Sequence, residues 1–309
     1  MRVGVLACEM LCRELRETLK SAGIRRIFLI SCEEPTERRR VGNFEALKER
    51  FLCIRFRNLL NNSFAVEIVK SSELKKVQAS DENVAVIRIT ELKMHDNPHL
   101  LIEEIEKGIL EIKDFVDFIL LGYGLCGCSA KEVRDVIRRA EECYGIPVEM
   151  PSDEEGFFNN CIEIALGRNK VRSILAEEKG TFFMTPAGAY IAGEPHVVIS
   201  EDSILTTEDT ANIIKILQKH YKQVVKIFYS EEDLADKRYS AIVERFARRF
   251  RLRVRSERGS ADALKDAFER ALRRWQQKAE AGEASEGSKA SARASEARWR
   301  QAFFLSHHK

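Results

Sequence analysis

The sequence predicts a doubly wound α/β fold, in which helices cover both faces of a mostly parallel sheet. Short apolar runs typical of strands alternate with helical patterns along the chain, and this alternation favours parallel strands joined by helices. With 309 residues, 44% of them hydrophobic, the chain can bury a core of that size. We expect a Rossmann-like α/β domain over residues 1–278, built from two βαβ-type halves that meet near residues 185–205.

Each element has a local signal in the sequence. The helix after the first strand ends before Gly23, which suits a left-handed C-cap. The helix after the third strand has Asn97 as its N-cap and Pro98 as its first residue, and Ser129 is expected to cap the next one. The expected strands cover residues 3–7, 27–31, 84–89, 118–121, 146–149, 181–184, 196–199, 224–229 and 252–255. The expected helices cover residues 9–22, 98–113, 129–144, 156–166, 206–220, 239–250 and 261–277.

Two segments stand apart from this alternation. Residues 32–83 are rich in charge and are interpreted as an insertion that contains a helical pattern. Residues 279–309 consist mostly of Ala, Ser, Glu, Gly, Lys and Arg, with too few large apolar side chains to offset the entropy of ordering. We therefore expect a low-complexity, disordered C-terminal tail.

The charge balance and the hydropathy pattern exclude several classes of protein. The formal net charge is only +2, so no overall field favours nucleic acid or an anionic membrane, and neither is expected as a partner. The longest uncharged runs have 13 residues, whereas a membrane-spanning helix needs about 20. No secretion signal is recognisable, so a cytoplasmic location is expected.

The strongest local signal for chemistry is the glycine-rich turn at residues 122–128, between an expected strand and an expected helix. Gly122, Gly124 and Gly127 allow left-handed backbone angles or the close approach of a ligand. Cys126 would lie at the carboxyl end of a strand and near a helix N-terminus, where the helix dipole lowers the pKa of a thiol. We therefore name Cys126 as the candidate catalytic thiol and the three glycines as candidate ligand-binding residues, while a plain tight turn remains an alternative.

Three further donors are expected near strand ends or turns. The chain has eight cysteines and no CxxC pair, so a zinc ribbon or a thioredoxin-type site has little support. Cys8 ends the first strand, His95 lies in a polar turn before a helix, and Cys161 lies on a short helix. With Cys126, these residues could converge into one site of soft ligands, which suits zinc, iron or the cobalt of a corrinoid. Burial of the cysteines in the core is the alternative.

Several of these residues also carry a resemblance to a known family. Residues 6–8, 94–98, 120–127, 145–147 and 180–186 resemble, in the same order, segments of the uncharacterised family catalogued as domain of unknown function 1638. The resemblance implies that Cys8, His95, Cys126 and Cys161 correspond to the family's Cys and His positions. It also implies a link to corrinoid-dependent methyl-transfer systems. The His that precedes the last Cys in that family is absent here, and Asp153, Glu154 or Glu155 could replace it as an oxygen donor.

Two hypotheses of function follow. In the first, the four donors bind a metal that activates a thiol or accepts a methyl group, with a small molecule or a corrinoid methyltransferase as partner. In the second, the protein is a non-catalytic module whose turn at residues 122–128 holds a small anion through backbone N–H groups. The basic segment 245–258 would then dock a partner, although a solvated strand edge also explains its alternating arginines.

Overall fold

The computed structural model describes residues 1–31, 56–57, 60, 63–78, 83–90, 97–193, 215 and 218–282. The chain divides into two compact units. The first consists of residues 1–159 together with residues from 262 onward, and the second of residues 160–261. The second unit is therefore inserted in the chain between two parts of the first.

The first unit is built on a six-stranded parallel sheet in the order β3-β2-β4-β1-β5-β6. Its strands are β1 (Arg2–Cys8), β2 (Arg26–Ile30), β3 (Ala65–Val69), β4 (Val84–Thr90), β5 (Phe118–Gly122) and β6 (Val148–Glu149). A short antiparallel hairpin follows, formed by β7 (Ser152–Asp153) and β8 (Gly156–Phe157). The helices of the first unit whose bounds lie within the described residues are α1 (Cys12–Ser21), α2 (Lys75–Gln78), α3 (Pro98–Ile112), α4 (Ala130–Tyr144) and, after the second unit, the last described helix (Asp262–Gly282).

Helices cover both faces of this sheet. On one face, α3 and α4 pack with side chains of β1, β4 and β5 in a core that contains Leu6, Ile105 and Val136. On the other face, α1 and the last helix form a second core around Leu15 and Phe118. The two cores confirm the predicted doubly wound fold, because only a sheet with helices on both sides buries both faces of its strands.

Within the described residues, the second unit has its own parallel sheet of three strands. The strands β9 (Thr181–Met184), β10 (Gln223–Phe228) and β11 (Arg253–Arg258) lie in the order β11-β10-β9. The helices of this unit whose bounds lie within the described residues are α5 (Cys161–Leu166), α6 (Arg168–Glu177), α7 (Pro186–Gly193), α8 (Glu231–Ala235) and α9 (Lys237–Phe250). The helix of the first unit that follows the second unit is α10 (Asp262–Gly282). Apolar side chains of β10 alternate between two small cores, one on each face of the three-stranded sheet.

The local signals for helix ends are confirmed. The Asn97 side chain accepts a hydrogen bond from the backbone of Leu100, with Pro98 as the first helical residue. Ser129 and Glu132 form a capping box at the start of α4. Gly23 has φ +69°, the left-handed conformation expected after α1.

Other expectations differ from the structure. The helix predicted for residues 156–166 starts only at Cys161, because Asn160 caps it and Gly156 lies in the preceding hairpin. The stretch interpreted as an insertion supplies β3, the edge strand of the main sheet. The last helix runs to Gly282, so residues 279–282 of the predicted tail are helical.

Some predictions concern residues outside the described ranges. The strand at 196–199, most of the helix at 206–220, and the tail from residue 283 onward lie there, as does most of the junction between halves predicted near 185–205. These remain predictions. Within the described residues, no helix combines the length and the apolar character needed to cross a membrane.

Candidate functional site

The connections between strands diverge at the carboxyl end of β1. The chain leaves β1 toward α1 on one face of the sheet, whereas it leaves β4 and β5, on either side of β1, toward α3 and α4 on the opposite face. In open α/β sheets, ligands bind outside the carboxyl ends of the strands where the connections diverge in this way. The three strand ends at this point are Cys8, Thr90 and Gly122.

A buried cluster lies at these strand ends, on the α3 and α4 side of the sheet. Cys8 pairs with Thr90 across the β1–β4 ladder, and Tyr123 follows the last residue of β5. The Tyr123 hydroxyl lies 2.6 Å from Oγ1 of Thr90, and this pair links the ends of β4 and β5 across the end of β1. Burial raises the pKa of Tyr123 well above its ordinary value, and the nearby Cys8 thiol adds to that shift.

Cys126 occupies an unusual backbone conformation in the turn above this cluster. Its φ is +49°, in the left-handed region that residues other than glycine rarely adopt. The conformation is held by neighbouring contacts, since the N–H of Cys126 donates to the Asn159 carbonyl at 2.7 Å and that of Leu125 donates to the Phe158 carbonyl at 2.8 Å. The thiol is partly buried against the same core as Cys8 and Tyr123.

A different feature of the structure involves each of the three glycines of the turn. A Cβ on Gly122 would lie 2.7 Å from Cβ of Ala7, so this glycine permits the close packing of β5 on β1. Gly127 has φ +92° and lies against Pro98. Gly124 has no left-handed φ, and its backbone lowers the pKa of the Cys126 thiol. A ligand-binding role of the glycines remains a prediction beside these packing roles.

The expected low pKa of Cys126 is wrong. Burial raises its pKa to about 11, the hydrogen bond with the Gly124 backbone offsets only part of that rise, and the neighbouring Cys128 adds to it. The helix dipole does not compensate, because α4 begins only at Ala130 and dipole effects fade within the first turn of a helix. The unliganded thiol is therefore protonated at neutral pH, which disfavours Cys126 as a free nucleophile.

Cys128 is a residue of the site that the sequence analysis did not select. It is buried in the same core as Cys8, and its Sγ donates to the Pro98 carbonyl at 3.4 Å. Burial raises the pKa of its thiol, and the Glu132 carboxylate adds to that effect. The close Cys-x-Cys spacing was the only signal in the sequence that could have identified it.

The backbone N–H groups of the turn are largely occupied by the protein itself. The Cys128 N–H donates to the Leu125 carbonyl, and Leu125 and Cys126 donate to the segment before α5. At the start of α4, the Ser129 N–H donates to the Glu132 carboxylate, which adds a negative charge at that helix end. Because an anion would need such groups, this arrangement argues against the anion-binding hypothesis.

The other predicted donors are not brought together within the described structure. Cys161 is the first residue of α5 and belongs to the second unit, and His95 lies outside the described residues, two positions before the cap of α3. Among the described residues, no three Cys, His, Asp or Glu side chains lie close enough to hold one metal ion. Convergence of Cys8, His95, Cys126 and Cys161 therefore stays a prediction.

The basic segment 245–258 includes the edge strand of the second unit. Arg255 pairs with Glu177 at 2.7 Å, and Arg253 lies 3.4 Å from Glu178. These carboxylates, at the end of α6 and just after it, offset part of the positive charge of β11. The docking of a partner on this segment remains a prediction.

Comparisons with known proteins place the chain among relatives of unassigned activity. The family model described as "Protein of unknown function (DUF1638)" matches residues 89–268, more than half of the chain. The match covers β5, the turn with Cys126 and Cys128, and the whole second unit. A search of curated proteins found no match.

Proposed function

The chain belongs to the DUF1638 family of proteins of unknown function, and we propose that it is a cofactor-handling protein that holds a soft transition metal at the carboxyl ends of β1 and β5. Cys126 is the central ligand in this proposal, and Cys8, His95 and Cys161 are the other expected ligands. Zinc, iron and the cobalt of a corrinoid are the candidate metals, because thiolates and imidazole suit these ions.

The observation that carries the proposal is the strained position of Cys126. A left-handed conformation of a residue other than glycine costs about 1 to 3 kcal/mol and is found mainly where the surroundings impose it, often at functional sites. Here two backbone hydrogen bonds from residues 125 and 126 impose it, and they present the thiol at the diverging strand ends. The turn thus fixes a sulfur donor where doubly wound folds bind their ligands.

The surroundings of the thiol support a ligand role more than a nucleophilic one. Cys126 packs against a core that contains Tyr123 and Met150. Among the described residues, no cation acts on its thiol. A metal ion supplies the positive charge that such a thiol lacks and takes the place of its proton. A bound metal would provide Lewis acidity or accept a methyl group. The chain would supply the sulfur ligand of Cys126 and the apolar side chains packed beside it.

Elemental analysis of anaerobically purified protein tests this proposal. We expect about one zinc, iron or cobalt per chain in the wild type, and its loss in Cys126→Ser. Cys143→Ser is the matched control, since Cys143 is a half-buried cysteine on α4 of the same unit. Cys161→Ser decides whether the second unit contributes a ligand.

Circular dichroism of each variant separates loss of the ligand from loss of the fold. A folded wild type without stoichiometric metal, both as purified and after incubation with Zn²⁺, Fe²⁺ or cobalamin, contradicts the proposal. Retention of the metal in folded Cys126→Ser contradicts the assignment of Cys126.

A further inference from the structure

The backbone of residues 125–128 forms a tight left-handed turn. The Cys128 N–H donates to the Leu125 carbonyl at 2.8 Å, and the two central residues, Cys126 and Gly127, have φ +49° and +92°. These features correspond to a type I′ turn. Both cysteines are therefore fixed on one tight turn, with a single glycine between them.

The turn brings the two cysteines close together, because the chain reverses direction between Leu125 and Cys128. Two residues apart, their Cα atoms are separated by at most about 7 Å even in an extended chain, and a tight turn shortens that distance. A tetrahedral metal with Zn–S bonds of about 2.3 Å needs its two sulfur atoms roughly 3.8 Å apart, which rotation about χ1 can reach from such a turn.

The charges around the pair favour a cation. The Glu132 carboxylate accepts hydrogen bonds from the N–H and the hydroxyl of Ser129, the residue after Cys128. The Pro98 carbonyl oxygen lies 3.4 Å from Cys128 Sγ. Both cysteines are free thiols, so neither sulfur atom is held in a disulfide.

We propose that Cys126 and Cys128 bind one thiophilic divalent cation as a chelating pair, so that Cys128 is the second protein ligand of the site. This inference rests on the proposed function and deepens it. Each thiol releases its proton to solvent as its metal–sulfur bond forms, and no electron transfer is involved. Two thiolates offset the charge of a divalent ion, and the remaining coordination positions stay open to other ligands.

A titration of the reduced, full-length chain with Cd²⁺ under anaerobic conditions tests the pair. The ultraviolet charge-transfer absorbance of cadmium thiolates reports the number of sulfur ligands. We expect wild type and Cys143→Ser to bind one Cd²⁺ with the absorbance of at least two thiolates. We expect Cys128→Ser to lose the part of this absorbance that one thiolate contributes. We also expect its affinity for Cd²⁺ to be at least about ten-fold lower.

Alkylation offers a second measurement that needs no variant. Trypsin releases both cysteines in one peptide, residues 114–131, because no Lys or Arg lies between Lys113 and Lys131. With Cd²⁺ bound, we expect this peptide to remain free of N-ethylmaleimide adducts, and two adducts to appear after chelation of the metal and unfolding. One adduct in the Cd²⁺-bound protein overturns the pair.

The outcomes separate this inference from the proposed function. Unchanged affinity and absorbance in Cys128→Ser, together with loss of binding in Cys126→Ser, overturn the chelating pair and leave the proposed metal site standing. A folded wild type that binds no Cd²⁺ overturns both.

Discussion

At the scale of single residues, Cys12 links burial to the pH dependence of stability. It is the first residue of α1 and is fully buried, and burial raises the pKa of its thiol to about 12. The thiol ionises near pH 9 in the unfolded chain but stays protonated in the folded chain. The contribution of the protonated thiol to the free energy of unfolding is therefore complete below pH 9 and is lost as the pH rises toward 12.

Replacement of Cys12 by alanine should therefore have a pH-dependent cost. At pH 7 we expect Cys12→Ala to be about 1 kcal/mol less stable than the wild type, because the sulfur leaves a small cavity. Above pH 9 the wild type loses up to about 1.4 kcal/mol of stability per pH unit through this thiol and the variant does not, so the difference should shrink and then change sign near pH 10. Chemical denaturation at pH 7, 9 and 10 measures the difference in the free energy of unfolding, with Cys143→Ala as control. A difference that stays constant across this range contradicts the argument.

For the residues of the site, the sequence predicts their positions along the chain but not the pKa or the backbone conformation of Cys126. Their positions at strand ends followed from local patterns, and Cys8 and Cys126 lie at or just after the strands expected to carry them. The pKa of Cys126 did not follow, because it depends on burial by residues distant in sequence. Its left-handed φ depends on the Asn159 carbonyl, 33 positions away, which no local pattern reports.

At the scale of elements, capping and periodicity were predictable because they are local. The buried face of α3, for example, follows directly from apolar residues at helical spacing, including Leu101, Ile105 and Ile109. The edge strand β3 was missed because it is short, half exposed and surrounded by charged residues. The start of α5 was misplaced because the apolar pattern continued upstream, while the Asn160 cap decides where the helix begins.

The contact between β1 and β5 gives a test at this scale. Gly122 pairs with Ala7, and a Cβ at position 122 would lie 2.7 Å from the Ala7 Cβ. We expect Gly122→Ala to destabilise the protein by about 1 to 3 kcal/mol, since overpacking in a core forces the strands apart. Adding Ala7→Gly should recover part of the loss, because it removes the atom that the new Cβ meets.

Denaturation of the two single variants and the double variant forms a complete cycle. Independent effects would add, whereas a shared steric cause gives a favourable coupling between the two positions. Purely additive losses contradict the packing explanation for Gly122. Normal stability with a loss of bound metal would instead support a role for Gly122 in ligand binding.

At the scale of the whole molecule, the first unit is completed by the part of the chain that follows the second. Helix α10 packs Leu264, Phe268 and Ala271 into the core beneath β5, and the rings of Phe268 and Phe118 meet edge to face with centroids 5.3 Å apart. Arg270 donates to the Met150 carbonyl at 3.0 Å and to Ser152. The sequence predicted this helix but not its place, because pairing across more than 100 residues leaves no local signal.

Because α10 is part of this core, we expect the removal of a buried side chain from α10 to destabilise the first unit. Phe268→Ala should cost about 3 to 5 kcal/mol, the range for removal of a buried phenylalanine side chain. The cores of the second unit contain no residue of α10 among the described residues, so they lose no contact directly. We therefore expect limited proteolysis of Phe268→Ala to cut preferentially within residues 1–159 and to leave a protected fragment from residues 160–261.

Glu269→Ala is the matched control for this experiment. Glu269 is the next residue of α10, and its exposed side chain pairs only loosely with Arg273, at 3.5 Å. A surface ion pair of this kind contributes little, so the control should retain wild-type stability and the wild-type cleavage pattern. If Phe268→Ala instead opens both units together, the two sheets unfold as one cooperative block, and the separate cores do not correspond to separate folding units.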